Sequence, residues 1–195
     1  MDSSIADRYR AHADAFQRKV AATRPDQWDN QSPCDEWTAR DVVGHIVVMH
    51  AAMLQPVGRT LSPAPPVQQD PLAAFNSARA DVEALLMDPD VASRQIDTPG
   101  GPMTVEEHVD QVISDDMVLH GWDLARATGQ DETIDSADLD RLWAANSSIP
   151  AEVMDKLRTP GAFGPGIVVF GPEVQVPADA PLQDRLLGFI GRDPR

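Results

Sequence analysis

Apolar residues that recur at intervals of three and four, segment after segment, most restrict the fold open to this chain. Ile5, Tyr9, Ala13, Phe16 and Val20 mark one face of a helix, and Pro25 stops it. After the loop QWDNQSPCDEW, Thr38 and Asp41 form a capping-box-like pair, and the stripe Val42, His45, Ile46, Met49, Met53 runs on to Pro56. The proline-rich stretch GRTLSPAPPVQQ predicts an irregular connection, after which Asp70 can cap a third helix with Pro71 in its first turn. Leu72, Phe75, Val82, Leu85 and Leu86 give that helix its apolar face, DPD ends it, and TPGGPM reads as a turn. Thr104 and Glu107 then make a capping box for a long fourth helix that Gly129 closes in left-handed conformation. Helices of this kind, joined by short or proline-rich links, predict an all-α, up-and-down four-helix bundle over residues 1–130.

Residues 131–195 read as a C-terminal helical extension packed on the bundle, one structural domain overall. Ser136 can cap a helix through Leu139, Leu142 and Trp143, and a last short helix runs from Pro181 to Phe189, ending at Gly191. Between them GPGIVVFGPEVQVP admits a strand, an extended arm or a helical turn.

Composition narrows the function. With 16 Lys+Arg against 31 Asp+Glu the net charge is −15, a field that repels phosphate backbones and anionic headgroups. Neither nucleic acid nor membrane is therefore expected as a partner. A single cysteine, Cys34, allows no internal disulfide and no all-thiolate metal site, and the acidic start MDSSIADRYR does not suit a signal peptide. A cytoplasmic protein is expected.

An acid inside an apolar stripe needs a reason, because a buried carboxylate is costly without a cation, a metal or several hydrogen bonds. The fourth helix carries such an acid in the run Val105, Val109, Val112, Asp116, Leu119, His120, Asp123, with Asp116 and His120 one turn apart. The second helix offers His45 on its own buried stripe. Two histidines and one carboxylate make a three-ligand metal site with positions left open for substrate, while hydrogen-bonded core histidines are the alternative. Asp123 can accept the other N–H of His120, or pair with Arg126 or Arg40.

Other candidates fall around this constellation. Trp37 and Trp122 are expected to pack beside it, and Cys34 is either a structural thiol or one activated by the nearby helix start. His50 lies about 140° round the helix from His45 and His108 about 12 Å from Asp116 along the axis, too far to share one ion. Arg79 and Arg192 are candidates for gripping a substrate carboxylate, the alternative being ion pairs with the many acids.

The segments SPCDEWTARDVVGHIV, DDMVLHGWDLARATG and DRLLGFIGRDP closely resemble the DinB-like, mycothiol-dependent maleylpyruvate isomerase family, including its single-domain metal-binding members. The carrying motifs are Cys-x-x-Trp before a helix with one central His, then Asp-x-x-x-His-x-Trp-Asp-Leu-Ala with a Thr-Gly cap. The resemblance implies a helical bundle that binds a divalent metal, zinc in the first instance and nickel or iron as alternatives, through His45, Asp116 and His120. The characterised isomerase has Glu where this chain has Asp116, a departure that bears on metal distance. Further implied are mycothiol as cofactor, a small electrophilic substrate, and thiol-dependent transfer or isomerisation. A non-catalytic metal-containing binding or regulatory module is the rival reading, and pairing as a homodimer is left open.

Overall fold

The computed structural model describes residues 4–98, 101–162 and 168–195. It comprises two compact units, residues 1–132 and 133–195.

In the first unit the helix boundaries follow local chemistry. Helix α1 (Ile5–Ala22) starts where the Ser4 side chain accepts the Asp7 backbone N–H. Helix α2 (Ala39–Leu54) starts at the Thr38–Asp41 capping box, and α3 (Pro71–Leu86) at Asp70, whose side chain takes the Ala73 N–H. A one-turn helix α4 (Pro89–Ala92) follows. The segment read as a turn is instead an antiparallel hairpin, β1 (Gln95–Thr98) with β2 (Gly101–Thr104), paired from Gln95 opposite Thr104 to Thr98 opposite Gly101. With only four residues per strand, and alternating exposure in β1 alone, the pattern is too short to stand out. The hairpin delivers Thr104 directly as the cap of α5 (Val105–Val109). A π-helical turn at Asp110–Ser114 joins α5 to α6 (Asp115–Thr128), which ends at Gly129 with φ 66°.

Helices α1 and α2 each pack on both α3 and α6, so the long helices close round one core. Phe16 and Phe75 meet there with ring centroids 5.0 Å apart, among fully buried Ile46, Leu54, Leu85, Ile113, Met117 and Leu124. The loop before α2 is tied to the end of α6: Gln27 Nε2 donates to the Thr128 carbonyl (2.6 Å) and Asn30 Nδ2 to that of Ala127 (2.8 Å). These tethers hold Cys34 and Trp37 against α6.

The second unit contains α7 (Ser136–Ser147), α8 (Ala151–Leu157) and α9 (Leu182–Phe189). Asp135 rather than Ser136 caps α7, accepting the Ala137 N–H at 2.9 Å, because the aspartate stands one position before the first helical residue. Helix α8 is an addition to the expected elements. Of the β-branched segment, residues 164–167 lie outside the described residues, and the remainder is an extended arm docked by backbone bonds from Val174 N to the Gly188 carbonyl (2.9 Å) and Gly171 N to that of Ile190 (3.3 Å). A Cβ on Gly188 would sit 2.5 Å from the Val174 oxygen. Gly188→Ala should therefore lower stability by about 1–3 kcal/mol in chemical denaturation, as overpacking does.

Candidate metal centre

His45 lies in the middle of α2, and Asp116 and His120 one turn apart on α6. Because α2 packs along α6, the three side chains converge, each offering one ligand atom within 4.8 Å of the others. His45 Nε2 is 3.2 Å from Asp116 Oδ2, and the imidazoles of His45 and His120 meet edge-on at 4.7 Å between centroids. Ligands held at about 2.0–2.1 Å from a tetrahedral zinc stand roughly 3.3 Å apart, so the donor set suits a divalent ion after small closure. The side chains of His45 and Asp116 keep 25% and 27% of their exposure, whereas that of His120 keeps 9%. Solvent thus reaches the cluster from the His45 and Asp116 side.

Asp123 is completely buried and its Oδ2 accepts from His120 Nδ1 at 2.8 Å. With that proton on Nδ1, the Nε2 lone pair is the one available to a metal. Of the other residues considered as its partners, Arg126 pairs with Glu132 (2.7 Å) and Arg40 with Asp29 (3.7 Å). The same Asp123 oxygen accepts from the Cys34 thiol at 3.3 Å, a link that spacing could not reveal because Cys34 arrives on a separate loop. Cys34, His120 and Asp123 form a second convergent group sharing His120. Asp123→Asn should weaken zinc binding by about 10–100-fold in a chelator competition titration, because the amide supports the ring less strongly than the carboxylate does.

Trp37 covers both imidazoles, its ring 4.8 Å from that of His45 and stacked 5.7 Å from that of His120. Trp122 is buried with the Arg126 guanidinium 4.8 Å over its ring. His45 also lines a groove of about 750 Å³ bounded by α2, α3 and the proline-rich connection, with Gly44, Val48, Leu61 and Pro66 among its walls.

The remaining candidates have other partners. His50 is fully buried, Nδ1 donating to the Ile46 carbonyl (2.6 Å) and Nε2 accepting from the Tyr9 hydroxyl (2.8 Å). Burial pushes its pKa down to about 4 and that of the Tyr9 phenol well above its ordinary value. Arg79 is bound by Asp14 and Glu83, both at 2.7 Å, and by Gln17, so protein acids already occupy its fork. Arg192 belongs to the second unit, where it is buried and its backbone N–H donates to the Leu187 carbonyl at 2.8 Å.

A helical bundle with two histidines and an aspartate converging from facing helices defines a candidate divalent-metal protein. Residues 9–125 match the mycothiol maleylpyruvate isomerase N-terminal domain, and the chain belongs to that family. Two proteins of Mycobacterium tuberculosis, "Uncharacterized protein MT0763" of strain CDC 1551 / Oshkosh and "Uncharacterized protein Rv0738" of strain H37Rv, are each 33% identical over 186 residues, spanning 93% of this chain and 94% of theirs. Among solved structures, a histidine-to-alanine mutant of the mycothiol-dependent maleylpyruvate isomerase matches with a TM-score of 0.54 and 15% identity, over 80% of this chain and 72% of that one. That likeness establishes the shared fold. Among the described residues no helix is long and apolar enough to cross a membrane.

Proposed function

We propose that this protein binds a divalent metal, zinc in the first instance, through His45, Asp116 and His120, and catalyses a mycothiol-dependent transfer or isomerisation. The observation that carries the reading is the convergence of those three side chains beside an open groove, in a chain whose residues 9–125 match the mycothiol maleylpyruvate isomerase N-terminal domain. A divalent metal bound there supplies the positive charge that keeps a coordinated thiol deprotonated at neutral pH. The chain's own groups prepare for that chemistry. Asp123 holds the Nδ1 proton of His120 and orients its ring, while Trp37 shields both imidazoles on one face. His45 opens on the groove, where walls contributed by Val48, Leu61 and Pro66 favour an apolar ligand body. The thiolate would add to an electrophilic carbon of a small substrate, and in an isomerisation the same thiol leaves after bond rotation.

The test is metal analysis of the untagged protein by mass spectrometry, followed by conjugation or isomerisation assays with mycothiol and small electrophiles. About one equivalent of metal per chain and turnover that requires both metal and mycothiol are expected. Bound metal with no thiol chemistry would instead indicate a binding or regulatory module. Absence of metal after reconstitution with zinc, nickel or iron would remove the proposal.

A further inference from the structure

The π-helical turn at Asp110–Ser114 stands immediately before Asp116, and it changes which residues face the core. An α-helix advances about 100° per residue, so uninterrupted from Val109 it would bring Asp116 back to within about 20° of Val109, in the apolar stripe. The buried residues follow a different register. Val105, Val109, Ile113, Met117 and Leu124 belong to the core cluster, and Val112 is only partly buried against it. Two expected stripe residues after Val109 are thus displaced by one position, Ile113 replacing Val112 and Met117 replacing Asp116. The turn, wider than α by one residue, rotates everything that follows by about 100°. Asp116 is thereby carried from the core to the rim, where its Oδ2 lies 3.2 Å from His45 Nε2.

Helix α1 grips this turn at both ends. Arg8 donates from Nε to Asp110 Oδ1 at 2.8 Å and from a terminal nitrogen to Oδ2 at 2.5 Å. One helical turn further along α1, His12 Nδ1 lies 2.7 Å from Ser114 Oγ and 3.1 Å from the Ser114 carbonyl. The His12 contact is sheltered, with Ser114 completely buried and His12 6% exposed, while the Arg8–Asp110 pair is partly buried. The spacing on α1, Arg8 to His12, equals that on the wide turn, Asp110 to Ser114, so the two contacts form a matched pair of clamps.

We propose that Arg8 and His12 are positioning residues for the metal centre: through Asp110 and Ser114 they hold the π-helical turn that sets Asp116 and His120 opposite His45. This inference rests on reading those three residues as a metal site. The experiment uses the full chain and zinc(II) titrated against a competing chelator, with the cobalt(II) absorption spectrum as a readout of coordination geometry and a thermal melt of each apo protein. His12→Leu and Arg8→Ala are expected to fold, to lose about 10–100-fold in zinc affinity and to change the cobalt spectrum, as supporting-residue losses do. His12→Asn, which keeps a donor near the Nδ1 position, should restore both to near the parent's values. Deletion of Val112, which returns the helix to α register, should abolish stoichiometric binding if that variant folds; if it does not, the Arg8 and His12 variants decide. Variants that melt earlier yet bind zinc with the parent's affinity and spectrum would overturn the positioning role while leaving the metal site standing. A parent that binds no zinc would overturn the site reading and this inference with it.

Discussion

His45→Ala and His120→Ala should both lose the bound metal, but only His120→Ala should also lose substantial stability without it. His45 is partly exposed, and its removal from the apo protein forfeits an exposed contact with Asp116 worth little in solvent. His120 is nearly buried and donates to a carboxylate that is completely buried. Withdrawing a hydrogen bond from a buried charged group costs about 2–3 kcal/mol, and the space left by the imidazole adds to it. Metal analysis by mass spectrometry, paired with urea denaturation of the apo proteins, measures both effects. Equal stability of the two apo variants would contradict the assignment of Asp123 as the partner of His120. Metal retained by His45→Ala would place the ion in the alternative group of Cys34, His120 and Asp123.

Acid should destabilise the fold well before its carboxylates titrate, through His50. Burial keeps that imidazole neutral in the native state, lowering its pKa to about 4 from the ordinary 6.5. The unfolded chain therefore takes up a proton first as pH falls. The stabilising contribution is fully present above pH 6.5 and is lost between there and about pH 4, an effect of about 3 kcal/mol across the whole window. His108, whose pKa is also lowered by burial, adds in the same sense. Urea denaturation of the apo protein at pH 7 and pH 5 should show the loss, and His50→Gln should flatten the difference even though it starts less stable. A flat profile in the parent would mean that the His50 ring takes up its proton in place, with the Tyr9 hydroxyl turned to accept from it.

The contrast between these two histidines indicates how far the chain could be read in advance. Both stand on α2, and periodicity placed His45 in the buried stripe with His50 about 140° round from it, whereas the structure leaves His45 partly exposed and buries His50 completely. That depended on α6 lying beside one face of α2 and on Tyr9 and Phe75 lying against another. The pairing of His120 with Asp123 was available as a neighbour relation on one helix; the arrival of Cys34 at the same carboxylate was not, because a loop tethered through Gln27 and Asn30 brings it there. The ligand set itself stood out as an acid within an apolar run, yet the motif resemblance was needed to prefer a metal over core hydrogen bonds.

What the sequence determined by itself is local: where helices begin and end, through Thr38 and Asp41, Asp70 and Pro71, Thr104 and Glu107, and Gly129, since caps act within a turn of their own position. What only the tertiary structure decided is phase and neighbourhood. The register of α6 depends on a wide turn held from α1 by Arg8 and His12, residues about a hundred positions away in the chain, and no local periodicity carries that information. Asp116 belongs to the core stripe when its helix is considered alone, and to the rim beside His45 once α1 grips the turn before it.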